Sequence, residues 1–145
     1  MAAVNAVRSD QRPSRVAAFV ISSDAQTVDD ITAQVGVRPD RSLDKGHIRD
    51  GSVTGIPARF HSWELREEVP VDVPLQEAVD SLFRRLLPLL VPLRRLLSAG
   101  CSYRVEIVQW ISAEDPHGPG FGFDKNAIAF MAQIGADVDI DQYVK

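Results

Sequence analysis

The chain has 145 residues, a formal net charge of −4, three histidines and a single cysteine, Cys101. That length suits one domain with its own core, and 45% hydrophobic with 25% charged residues excludes an intrinsically disordered chain. One cysteine excludes an intrachain disulfide and a cysteine-rich zinc site, and the acidic balance gives no general attraction to nucleic acid or to an anionic membrane.

Met1 to Arg15 is polar, carries Arg8, Arg12 and Arg15, and lacks the apolar stretch of a signal peptide, so it reads as a flexible tail before one domain over residues 16–145. Val16 to Ser22 reads as a buried first strand. Thr27-Val-Asp-Asp30 has the form of a capping box and starts a short helix that Gly36 ends. From Val37 to Pro57 there is no periodic signal except Asp50-Gly51, which suits the turn of a small hairpin between Ile48 and Val53. A connection of that length is uncommon without structure or a role of its own.

Ala58 to Leu65 is the second expected strand, with His61, Trp63 and Leu65 on one face. Helical spacing returns after Pro74 in Leu75, Val79, Leu82, Phe83 and Leu86 and runs on to Gly100. Pro88 and Pro92 remove backbone donors, which predicts a break near Leu87. Arginines interrupt this leucine-rich stretch, leaving it too short to span a bilayer.

Tyr103 to Ile111 is the third strand. Gly118 to Gly122 reads as a turn between two strands, because it lacks the Gly-Lys-Ser/Thr of a phosphate loop. Asp124 is placed to cap a helix whose apolar residues, Ala127, Ile128, Phe130, Met131 and Ile134, end at Gly135. Asp137 to Val144 then alternates with period two: Val138, Ile140 and Val144 share one face, and Asp137, Asp139, Asp141 and Tyr143 share the other. The predicted class is α+β, a mixed or antiparallel sheet of about five strands with helices packed on it. With the leucine-rich helical pair taken as an insertion, the remainder is ferredoxin-like.

The segment order and several motifs resemble a bacterial family, domain of unknown function 4279 (DUF4279). The residues that carry the likeness are Ile31-Thr32, Val35-Gly36, Pro39, Lys45-Gly46, Trp63-Glu-Leu65, Ile128-x-Phe-x-Ala132, Gly135-Ala136 and Asp139-Ile-Asp-x-Tyr-Val144. The resemblance implies a small soluble bacterial domain and carries no activity or catalytic residues with it.

Two charged groupings are candidate sites. Val37 to His61 carries a net +2 while the rest of the chain carries −6, and Arg38, Arg41, Lys45, His47, Arg49 and Arg59, with Trp63 beside them, would suit an acidic partner or a small anion. Asp137, Asp139 and Asp141 offer hard oxygen ligands for a divalent cation, although residues two apart on a strand lie about 7 Å apart. A solvated loop and a solvated strand face are the plain alternatives, and Trp63, a large aromatic in a strand, reads first as a core residue. His47, His61 and His117 have no metal-ligand spacing, no nucleophile elbow surrounds Ser22, Ser23 or Ser62, and Cys101 reads as a small apolar residue. No catalytic residue and no cofactor is expected. The expectation is a cytoplasmic, non-enzymatic domain that binds another protein in an immunity-like or accessory role, or pairs with itself as a homodimer, without specific nucleic-acid or membrane binding. The alternatives are a metal-assisted hydrolase using the three aspartates and a sensor of small anionic ligands or nucleotides.

Overall fold

The computed structural model describes residues 15–115 and 117–144. The tail expected over Met1 to Arg15 lies outside them, apart from Arg15. That residue opens the first strand, fully buried and paired with Asp115.

In chain order the elements are β1 (Arg15–Ser23), α1 (Val28–Val35), β2 (Arg41–Leu43), β3 (His61–Val69) and α2 (Leu75–Leu86), followed by a 3-10 turn (Leu87–Leu89) and α3 (Leu90–Ser98). β4 (Ser102–Ile111), α4 (Lys125–Ile134) and β5 (Asp137–Val144) complete the fold. The local signals explain most of these boundaries. At α1, Thr27 Oγ1 accepts from the Asp30 N–H while the Asp30 carboxylate accepts from the Thr27 N–H. At α4, Asp124 accepts from the Ala127 N–H, and Gly135 closes the helix at φ 64°. The break between α2 and α3 falls where Pro88 removes a donor.

β3 lies further along the chain than Ala58 to Leu65, and the three-residue β2 sits in the region without periodicity. Gly118 to Phe123 forms no strand. Phe121 and Phe123 are held there by packing, Phe123 edge-on to Phe83 with ring centroids 5.8 Å apart.

The sheet order is β2-β3-β1-β4-β5. β1 pairs antiparallel with β3 and β4, β2 pairs antiparallel with β3, and β5 joins β4 in parallel. The sheet is mixed and the fold is α+β. Its first four strands, with α1 and the α2–α3 pair, follow the ferredoxin-like β-α-β-β-α-β order. The leucine-rich pair is therefore the second crossover rather than an insertion, and α4 with β5 is the added unit.

One face of the sheet carries the core. Phe19 and Ile21 of β1, Trp63 and Leu65 of β3, and Val105 and Ile107 of β4 are fully buried against Leu82, Leu86, Leu93, Leu96 and Ile134. Tyr103 stacks on Phe19 and donates its hydroxyl to the Leu93 carbonyl at 2.5 Å, tying β4 to α3. The other face is charged: Glu64, Arg66 and Glu68 on β3, Arg104 and Glu106 on β4, and the three aspartates on β5. Among the described residues no helix is long and apolar enough to cross a membrane.

Candidate functional site

Between β2 and β3 the chain builds a loop that is ordered by its own bonds. The Gly46 N–H donates to the Ala58 carbonyl and the Ala58 N–H to the His47 carbonyl, each at 2.8 Å, closing a hairpin-like base. At its tip the Ser52 N–H donates to the Arg49 carbonyl across Asp50-Gly51. Gly51 takes φ 73° there, a conformation open to glycine, so the predicted turn is present although no ladder flanks it.

Two of the three aspartates of this region, Asp40 and Asp44, are bonded to the fold, while Asp50 is exposed at the turn. Asp40 Oδ2 accepts from the Arg66 backbone N–H and from Arg85 Nη1, both at 2.8 Å. The Arg85 bond holds the Asp40 carboxyl below its ordinary range. Asp44 Oδ1 accepts from the Val28 N–H at the start of α1 at 3.1 Å and lies 2.8 Å from His61 Nδ1. That backbone bond first, and His61 second, lower its pKa. Lys45 pairs with Asp24 at the surface.

The basic residues point the other way. Arg38, Arg41, Lys45, His47, Arg49 and Arg59 are all exposed, and the four arginines make no ion pair among the described residues. Arg41 stands in register with Glu64, whose pKa is raised by burial against the opposing pull of Arg66, Arg41 and Arg49. Interleaved with the arginines are apolar side chains that sequence reasoning passed over: Ile48, Ile56 and Phe60 are more than half exposed, and Val53 is wholly so. Their signal was available as apolar residues inside a segment without periodicity. An ordered loop that holds apolar groups in water has the composition of an interface, an apolar centre rimmed by charge.

Trp63 does not belong to this surface. Its indole is fully buried and donates Nε1–H to Thr32 Oγ1 at 3.1 Å, because β3 turns it to the helical face. The two other histidines serve local structure: His61 sits at the root of the loop, and His117 Nε2 lies 2.6 Å from the Asp72 carbonyl oxygen. The structure adds a depression of about 430 Å³ between α2 and the start of α4, floored by Val79, Phe83, Phe123 and Ala127 and sharing no residue with the basic loop.

Asp137, Asp139 and Asp141 are exposed along the edge strand, in register with Arg104, Glu106 and Val108. Among the described residues no group of three or more His, Cys, Asp or Glu side chains is arranged to hold a metal ion. The three carboxylates are spread along one strand, about 7 Å apart.

The family model for the domain of unknown function DUF4279 matches residues 12–145, nearly the whole chain, and the chain belongs to that family. No match was found among curated proteins or among solved structures.

Proposed function

We propose that the chain is a non-enzymatic protein-binding domain, of immunity-like or accessory kind, whose basic loop docks on an acidic surface of its partner. The observation that carries this reading is the division of labour within residues 38–60. Asp40 and Asp44 are engaged by the fold, while Arg38, Arg41, Arg49 and Arg59 make no ion pair among the described residues and alternate along the chain with the exposed Ile48, Val53, Ile56 and Phe60. The charged rim would steer an acidic partner and fix its orientation, and the apolar tip would supply the desolvated contact.

The test is affinity capture from host lysate at two salt concentrations. Wild type is compared with Arg41→Glu/Arg49→Glu and with Val53→Asp, all three checked for native circular dichroism. An acidic partner retained by wild type, weakened by salt and lost by both variants is the expected result. A partner held equally by all three overturns the assignment to the loop.

A further inference from the structure

The opposite edge of the sheet carries a second surface of different chemistry. β5 is eight residues long and pairs with β4 along one side; no described strand pairs with the other side. Alternate residues of any strand direct their N–H and C=O groups toward each edge, so the outer edge presents a row of donors and acceptors that no described strand takes up. Edge strands are ordinarily blunted by shortness, charged side chains, proline or a bulge, and of these β5 has only the charge of its aspartates, which repels acidic strands and leaves basic ones free to pair. β2, at the other edge, is three residues long, whereas Asp137–Val144 contains neither proline nor lysine and runs in unbroken register with β4.

The side chains of β5 are exposed on both faces. Val138 and Ile140 continue the rows of the buried Val105 and Ile107 on the core face, but they lie past the helical layer and are 43% and 46% exposed. On the other face Asp137, Asp139 and Asp141 stand at every second position, about 7 Å apart.

We infer that the outer edge of β5 takes up an extended segment of a partner protein, adding it to the sheet as a sixth strand, and that this segment carries Lys or Arg at alternate positions. Backbone pairing gives the register, the apolar row of β5 receives small aliphatic side chains, and the acidic row meets the basic ones. Charge also disfavours a second copy in the registers that use the full length of the strand. Antiparallel self-pairing centred on Ile140 sets Asp139 against Asp141 twice, centring it on Asp139 sets Asp137 against Asp141, and parallel in-register pairing sets each aspartate against itself. Like charges directly opposite one another destabilise a strand pair, so the same row that attracts a basic strand repels this one.

This inference is independent of the loop proposal and can fail alone. Its test uses the isotope-labelled full chain and a capped peptide alternating Lys and Val over about nine residues, titrated to about 1 mM and followed by amide shifts and hydrogen exchange. Two further versions are N-methylated, one on every Lys amide and one on every Val amide, which leaves charge unchanged but removes the donors along one edge of the peptide. The expected result is slowed exchange and shifts centred on residues 137–144, binding weakened about tenfold or more by one methylation pattern and not by the other, and loss in Asp139→Lys/Asp141→Lys. Arg41→Glu/Arg49→Glu, which tests the loop, should leave this binding intact. Equal binding by both methylated peptides would reduce the effect to charge attraction and overturn the proposal. So would absence of any shift at β5.

Discussion

β4 and β5 are neighbours in parallel register with the same alternating pattern, yet they live in different surroundings. Ile107 and Ile140 stand side by side on the same face; Ile107 is fully buried and Ile140 is 46% exposed. The helices end between them: α2 and α3 cover β3, β1 and β4, and no described helix is packed across β5. Alternation along a strand therefore reports which side chains share a face, while burial is decided by where the other layer stops.

Substitutions should separate the two strands, with the largest effect on β4. Ile107→Ala should cost about 3 kcal/mol in urea unfolding, since the site is enclosed and a cavity remains. A loss below about 1 kcal/mol would mean that the core is looser than the packing implies. Tyr103→Phe should cost about 1 to 2 kcal/mol by removing the buried hydrogen bond to Leu93. Burial also pushes the Tyr103 hydroxyl well above its ordinary range. Ultraviolet titration should accordingly find this phenol un-ionised until the chain unfolds.

Asp40→Asn should cost about 1 kcal/mol or less at pH 7, because the pair with Arg85 is partly exposed and screened. The Asp40 pKa is lowered in the fold, so its contribution is present above the unfolded value near 3.8 and is lost as pH falls through the folded value. The gap in stability between wild type and Asp40→Asn should therefore close on acidification; a gap that widens would refute the pairing. Smallest of all, Ile140→Ala should change stability by about 0.5 kcal/mol or less, as at an ordinary surface position. Equal losses at Ile107 and Ile140 would show that β5 is covered in solution.

Much of the fold was legible because it is written locally. Thr27 and Asp30, Asp124 and Gly135 act within a few residues of themselves, and Pro88 breaks its helix through its own missing donor. What escaped was set at a distance. β2 exists because Arg41 to Leu43 lies against β3, and the role of the leucine-rich pair as a crossover follows from strand order, which no single segment contains. The same holds for the candidate site. The basic residues were evident, but the interleaved Asp40 and Asp44 diluted them until Arg66, Arg85 and the start of α1 were seen to engage those carboxylates. For Trp63 the core reading holds: the pleat of β3 sends it inward, away from the loop that lies beside it in sequence.

Cys101, at the junction of α3 and β4, is 3% exposed, and burial raises the pKa of its thiol. A thiol both enclosed and protonated reacts with an alkylating reagent only after the surrounding structure opens. The wild-type chain thus contains one internal reporter: the labelling rate of this sulfur, followed by mass, reads the population of the opened state at low reagent and the frequency of opening once the reagent outpaces reclosing, without introducing a probe.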